Sequence, residues 1–207
     1  MKKVAIIGAG PAGIEAAAAL AKMGVSAVLF EKSETPLKNL QDKAFLFPNF
    51  QPAQEIADDL AGKLLTDGIT AVFGTDITDV KWLGTEWKLF DAKGQTYVAD
   101  AVLIASGYQV FDAHRKEELG YGIYKGVITS LEMESMIRHQ KILNASGDEP
   151  RNITFLQCVG SRDEKSGNNY CSKLCCVTAV KQAIEVRKQL PKCELSVFYM
   201  DLRMWGQ

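Results

Sequence analysis

Apolar residues come in short runs whose spacing changes along the chain. Residues 2–7 form a compact apolar run of the kind buried in a parallel sheet. A glycine-rich turn follows, then a helical stretch from Pro11 to about Met23, with proline in the first turn where it is tolerated. Gly24 ends that helix and residues 26–31 read as a second strand, which completes a βαβ unit. Residues 32–51, with Pro36 and Pro48, read as irregular. Pro52 opens a helix that places Ile56, Leu60 and Leu64 on one face. A β-rich stretch comes next, with short strands predicted at 69–73, 78–83, 86–90 and 96–98. Asp91-Ala92-Lys93-Gly94 is the turn between the last two. Residues 101–105 are expected as a further buried strand ending at Ser106-Gly107. Thr129 and Glu132 form a capping box for a helix over about 131–139. Residues 140–151, with Asn144, Gly147, Asp148 and Pro150, read as a linker. The second half restarts with a strand at 152–158, a polar loop, a helix at 172–189 and a strand at 194–200, a second βαβ-like unit.

Composition narrows the class. A chain of 207 residues with 47% hydrophobic and 24% charged residues has the balance of an ordinary globular protein. Its 24 basic and 25 acidic residues nearly cancel, which excludes a strongly basic nucleic-acid binder and an acidic tail. Lys2 and Lys3 ahead of an apolar stretch mimic a signal peptide. Gly8, Gly10, Gly13, Pro11 and Glu15 interrupt it, and no apolar run reaches the length of a membrane span. The expectation is a cytoplasmic chain with reduced thiols. Five cysteines, two of them adjacent, then point to metal or redox chemistry rather than to a disulfide framework. His114 and His139 read as surface residues, and Trp82, Trp87 and Trp205 as packing groups.

Gly8-Ala9-Gly10-Pro11-Ala12-Gly13 fits G-x-G-x-x-G between a strand and a helix. Gly8 permits the tight turn, Gly10 lets the backbone approach a pyrophosphate, and Gly13 allows close helix–strand packing. The helix N-terminus, beginning at Pro11 and Ala12, offers N–H groups and a positive dipole end to the anion. Glu31, 18 residues past Gly13, ends the second strand with Lys32 beside it, where a carboxylate accepts from ribose hydroxyls. Ala105-Ser106-Gly107-Tyr108 resembles the A-T-G segment of two-dinucleotide-domain flavoproteins, which favours FAD over NAD.

Cys158, Cys171, Cys175 and Cys176 follow C-x12-C-x3-C-C. Cys158 is placed at a strand end, Cys171 at a helix start, and Cys175 and Cys176 one turn in. The helix N-terminus favours thiolates there, and Arg162, Lys165 and Lys173 are close in sequence. Four cysteines are the usual ligand set of a [4Fe–4S] cluster. Structural zinc and buried core thiols are the alternatives. Zinc is disfavoured by the adjacent pair and by the absence of two C-x2-4-C spacings. Cys193 stands apart as a simple thiol.

Over residues 155–176 (FLQCVGSRDEKSGNNYCSKLCC) the chain resembles the A-type subunit of heterodisulfide reductase, an iron–sulfur flavoprotein family. TAVKQA at 178–183, VFYMDLRMWG at 197–206, YGIYKGVITSLEME at 121–134 and the amino-terminal GAGPAG with Glu31 fit the same family. The resemblance implies that Cys158, Cys171, Cys175 and Cys176 hold a [4Fe–4S] cluster and that Gly8, Gly10, Pro11, Ala12, Gly13, Glu31, Lys32, Ala105, Ser106 and Gly107 bind FAD. Two departures stand out. Where the family continues into Leu-Gly-Gly beside the flavin, this chain reads Pro36-Leu37-Lys38-Asn39-Leu40. The chain also reads as a truncated or shortened member, with the second nucleotide domain incomplete. The cysteine loop takes the strand–helix turn where related reductases place an NAD(P)H loop, so residues 152–207 are not expected to bind NAD(P)H.

The expected architecture is α/β. A Rossmann-like FAD-binding domain with a β-rich insertion spans 1–140, a linker 141–151, and a partial second βαβ domain with the cysteine motif 152–207. The expected function is an electron-transfer flavoprotein component passing electrons between FAD and a [4Fe–4S] cluster. Its partners would be other electron-transfer subunits or soluble carriers, with no nucleic acid and no integral membrane segment; homo-oligomerisation is left open. The alternatives are a non-catalytic dinucleotide-binding or assembly module and an NAD-binding oxidoreductase with a zinc-stapled tail. No general acid or base is assigned.

Overall fold

The first apolar run becomes β1 (Lys3–Ile7), whose Ala5 and Ile6 are almost completely buried. It leads through the glycine turn into α1 (Pro11–Lys22) and β2 (Ser26–Phe30). Then come α2 (Lys38–Gln41), the two-residue strands β3 (Phe45–Leu46) and β4 (Gln51–Pro52), and α3 (Ala53–Lys63). Further on are β5 (Ile69–Val72), β6 (Ile77–Trp82), β7 (Trp87–Asp91), β8 (Thr96–Ala99) and β9 (Ala101–Ile104). The remainder supplies α4 (Ser130–Arg138), β10 (Asn152–Leu156), α5 (Cys175–Gln189) and β11 (Glu194–Phe198). This computed structural model describes residues 2–204. They fall into two compact units, one of residues up to 41 with 52–108, the other of 42–51 with the chain from 109 onward.

In the first unit a parallel sheet runs β5-β2-β1-β9, with Val4 opposite Ala27 and Ala101. Alternation sends successive side chains to opposite faces. Ala5, Val28 and Phe30 pack with Leu89 and Ala99 of the antiparallel meander β6-β7-β8, and the Phe30 and Tyr97 rings lie 4.7 Å apart. Ile6 and Leu29 have the opposite parity and are also buried. Helix α1 contacts β1 and β2, and its buried stripe is Gly13, Ile14, Ala17 and Ala18. The expected turn forms as read: Asp91 Oδ1 accepts the Lys93 and Gln95 N–H groups at 2.9 and 2.7 Å. Helix α3 buries Ala53, Ala57 and Leu60, with Ile56 and Leu64 half-buried beside them.

In the second unit β10 and β11 are parallel neighbours, Asn152 opposite Glu194, on either side of α5 in the chain. Met133, Ile137, Ile142, Val186, Leu190 and Cys193 form the core. A buried polar group ties residues 42–51 to this core. Glu134 accepts the Ala44 N–H at 3.0 Å, the Lys181 ammonium and the Gln182 amide, and Lys181 Nζ donates to the Phe45 carbonyl at 3.0 Å. Burial pushes the Glu134 carboxyl up, but the hydrogen bonds from Lys181, Gln182 and Ala44 outweigh it and hold the group below its ordinary value.

The strand expected at 69–73 forms as β5 and joins β2 in the parallel sheet. Three expectations differ from the structure. Strand β9 is not buried: it pairs only with β1 among the described strands, and Ile104 is 74% exposed. Helix α4, expected in the first domain, packs on α5, because Met133 and Ile137 bury against Val186 and Leu190. The compact units accordingly part at 108/109, and the 141–151 stretch is anchored by buried Ile142. Finally, α5 starts at Cys175, not at Ser172. The Ser172 N–H is held by Ser161 Oγ at 2.9 Å and Lys173 has left-handed backbone (φ 62°), which no helix continues through. Among the described residues no helix is long and apolar enough to cross a membrane.

Candidate functional site: a dinucleotide turn and a cysteine loop

The glycine turn sits at the C-terminal ends of β1 and β9, where the chain order of the sheet departs to either side of β1. Open α/β sheets bind ligands at such a crevice. Gly8 has φ 108°, and its backbone packs so close to the next strand that a Cβ there would lie 2.4 Å from the Ala105 carbonyl oxygen. A Cβ on Gly13 would lie 1.9 Å from the Gly8 oxygen. Both positions are reserved for glycine by the protein's own backbone. Gly10 is different: among the described residues, its chain neighbours apart, nothing lies within 4 Å of a Cβ built there. It is also the N-cap of α1 and supplies no side-chain acceptor to the first turn. The N–H groups of Ala12 and Gly13 therefore have no intrahelical carbonyl and no capping side chain, which is how a helix end serves an anion. These residues fit the pyrophosphate of a dinucleotide.

Glu31 follows β2 and is half-buried. Its Oε2 accepts the Ala9 N–H at 2.8 Å and its Oε1 the Ser33 N–H at 2.9 Å. The carboxylate is thus oriented by the turn it serves, with lone pairs left over for a ribose. Lys32 is exposed. Ala105, whose N–H donates to the Ile7 carbonyl at 2.8 Å, is adjacent to Gly8, with Ser106 and Gly107 exposed after it. The structure thus brings Gly8, Gly10, Pro11, Ala12, Gly13, Glu31 and Ala105 to one end of the sheet.

The cysteine loop lies in the second unit, between β10 and α5. It folds back on itself: Arg162 N–H and Ser161 Oγ both donate to the Tyr170 carbonyl, at 2.9 and 3.0 Å, and Asn168 Nδ2 donates to the Gly160 carbonyl at 3.0 Å. This closure returns Cys171 to the start of the loop, near Cys158, which itself has left-handed backbone (φ 61°). The Cys158 thiol is pushed up chiefly by burial and then by Cys175. Arg162 pulls it down, and Cys176 and Cys171 add to the upward shift. All four are free thiols, three of them half-buried and Cys176 buried. Cys175 and Cys176 are the first two residues of α5, not one turn inside it, and Leu174 caps the helix without a side-chain hydrogen bond. Cys176 is buried, and its Sγ accepts the Arg203 N–H at 3.4 Å.

Four thiols, two in this loop and two at the uncapped start of α5, fit a thiolate-bound cluster in number and in kind. Among the described residues no three His, Cys, Asp or Glu side chains already stand around one point at metal-binding distance. Of the expected cations, Arg162 is committed to Asp201, and Lys165 is exposed 4.0 Å from Glu118. Arg203 Nε pairs with the same Asp201 at 3.0 Å, and these two arginines hold that carboxyl below its usual range against its burial. Cys193 is a core thiol, and His114 and His139 are exposed, as read from the sequence; Trp205 lies outside the described residues.

A family profile described as pyridine nucleotide-disulphide oxidoreductase matches residues 1–139. The chain belongs to that family. This oxidoreductase carries the FAD-binding, Rossmann-like type of fold typical of flavoproteins. It is 45% identical over 112 residues to the A-type subunit of the H(2)/formate:CoB-CoM heterodisulfide,ferredoxin reductase of Methanococcus maripaludis, an alignment covering 51% of this chain and 17% of that one. The corresponding iron-sulfur subunit of the CoB–CoM heterodisulfide reductase of Methanocaldococcus jannaschii is 44% identical over 112 residues, 51% of this chain and 17% of that one. The resemblance to the A-type subunit of heterodisulfide reductase therefore holds, while the chain spans only about one sixth of the length of these relatives. Among solved structures, L-proline dehydrogenase from P. horikoshii aligns with all of this chain and 38% of its own, at TM-score 0.53 and 17% identity, a likeness of fold alone.

Sequence reasoning missed three residues of this family member. Leu37, in the stretch lacking Gly-Gly, takes a left-handed backbone (φ 59°) and donates its N–H to the Ala9 carbonyl of the turn. Nothing about a leucine announces that. Asp201 and Arg203 border Cys176 and Arg162; the 197–206 segment stands out in the sequence, but the pairing of these two residues is a tertiary contact.

Proposed function

We propose that this chain is an electron-transfer flavoprotein component. It holds FAD by its ADP half at Gly8 to Gly13 and Glu31, and a [4Fe–4S] cluster at Cys158, Cys171, Cys175 and Cys176. The observation that supports this best is the pairing, in one chain, of an uncapped glycine turn open at Gly10 with four free thiols, two in a loop that folds back on itself and two at the uncapped start of α5. Bound flavin supplies hydride or electron exchange, and the protein supplies position and electrostatics. Ala12 and Gly13 N–H groups and the α1 dipole stabilise the pyrophosphate charge. Glu31 accepts from the adenosine ribose, and Ala105 to Gly107 flank the same crevice. The α5 N-terminus begins at Cys175 and Cys176 with no side-chain cap, while Asp201 keeps the Arg162 and Arg203 side chains beside the loop. The relatives' names speak of ferredoxin and of subunits; for this chain the corresponding partners are further electron-transfer subunits or a soluble iron–sulfur carrier.

Anaerobic purification followed by iron and sulfide reconstitution tests the reading. The wild type should show flavin bands and a broad iron–sulfur shoulder, and Cys175→Ser should take up less iron and sulfide. A wild type that stays colourless after reconstitution and addition of FAD, or equal uptake by both proteins, refutes it. Zinc in place of iron in the purified protein points to the zinc-stapled alternative.

A further inference from the structure

Ala9 stands at the centre of the glycine turn and is fully buried. Both of its backbone polar groups are engaged by residues that follow β2. The N–H donates to Glu31 Oε2 at 2.8 Å, and the carbonyl accepts the Leu37 N–H at 3.0 Å. Leu37 makes this bond with a left-handed backbone, φ 59°. A leucine there meets a steric penalty that glycine escapes. The surroundings over-determine the conformation. The Leu37 side chain is 3% exposed, and its carbonyl accepts the Leu40 and Gln41 N–H groups at 2.8 and 3.0 Å, which starts α2. Strain held in place by burial and by hydrogen bonds on both sides is a reason to look for a role.

Peptide planarity supplies that role. The Ala9 carbonyl and the Gly10 N–H belong to one trans peptide and point to opposite sides of it. Pinning the carbonyl fixes the direction of the Gly10 N–H. In the same way, Glu31 on the Ala9 N–H fixes the Gly8 carbonyl, the atom against which Gly13 packs. Glu31 and Leu37 thus hold two successive peptide planes of the turn.

We propose that Leu37 is a positioning residue of the dinucleotide site, holding the Ala9–Gly10 peptide so that the Gly10 N–H faces the phosphates. This rests on the dinucleotide reading above. Its ligand class is any adenine nucleotide with a diphosphate, and ADP is the probe.

Two substitutions separate this role from simple packing. Leu37→Val keeps much of the buried apolar surface, but a β-branched residue resists the left-handed backbone. Leu37→Gly gives up the buried side chain and adopts that backbone freely. If Leu37 acts through backbone geometry, the glycine variant binds ADP at least about fivefold more tightly than the valine variant in titration calorimetry. If it acts only by packing, the order reverses. Amide exchange of residue 37, measured without ligand, should be slow in the wild type and the glycine variant and fast in the valine variant. Valine binding as tightly as glycine overturns the proposal, as does rapid amide exchange at Leu37 in the wild type. The second outcome stands even if the valine variant fails to fold. A wild type that binds neither ADP nor FAD overturns the dinucleotide reading itself, and the proposal with it.

Discussion

Replacing Gly10 and Gly13 in turn with alanine separates what the turn does for the fold from what it does for a ligand. Each change adds one methyl group. At Gly13 the new Cβ would sit 1.9 Å from the Gly8 carbonyl oxygen, a backbone atom, so α1 or the turn has to move by more than 1 Å. Overpacking of this kind costs about 1–3 kcal/mol. For a chain of this size that lowers the melting temperature by roughly 2–4 °C per kcal/mol. At Gly10, among the described residues and its chain neighbours apart, nothing lies within 4 Å of the new Cβ, and φ −79° is ordinary for alanine. The fold should lose no more than the ~1 kcal/mol that a poorer N-cap costs. The methyl does occupy the surface over which a pyrophosphate must pass. A loss of ADP affinity of about 10- to 100-fold is expected, or ~1.4–2.7 kcal/mol. Calorimetric melting and ADP or FAD titration of the two variants give the comparison. Wild-type affinity in Gly10→Ala means the phosphate lies elsewhere. A Gly13→Ala protein that melts with the wild type means that the close helix–strand approach is not what fixes α1.

Thr129→Ala removes the capping box, in which Thr129 accepts the Glu132 N–H and Glu132 accepts the Thr129 N–H. It should cost ~1 kcal/mol in urea unfolding, with Thr129→Ser recovering most of it. Glu134 is held below its ordinary carboxylate value, so its contribution to stability is complete above the usual range near pH 4.5 and is lost as pH falls through its folded value. Glu134→Gln leaves Lys181 buried without its charge partner and should cost about 3–5 kcal/mol at pH 7. The gap between variant and wild type, followed by denaturant unfolding from pH 7 to pH 3, should close at the acid end; a gap that stays constant refutes the assignment of the ionised pair.

The elements most legible in the sequence are those whose cause is local. The 3–7 and 26–30 runs are apolar because both faces of a central parallel strand are covered, and the covering leaves a mark on every residue. The 8–13 spacing is readable because turn, anion approach and helix packing each exclude a side chain at a fixed offset. Thr129 and Glu132 announce a helix start three residues apart. Helix α5 shows the limit: its apolar and cysteine pattern reads back to Ser172, but the hydrogen bond from Ser172 to Ser161 delays the start to Cys175.

The sequence by itself determined the β1–α1–β2 unit, the glycine turn, the second βαβ pattern and the identity of the four candidate thiols, because each rests on residue type at short spacing. The tertiary structure alone decided that β9 is an edge and that α4 belongs with α5. It also decided that residues 42–51 are gripped by Glu134 and Lys181, and that Leu37 holds Ala9. Those contacts join residues 28 to 136 positions apart in the chain or depend on which face is left uncovered. Burial and hydrogen-bond satisfaction select them only once the whole chain is packed.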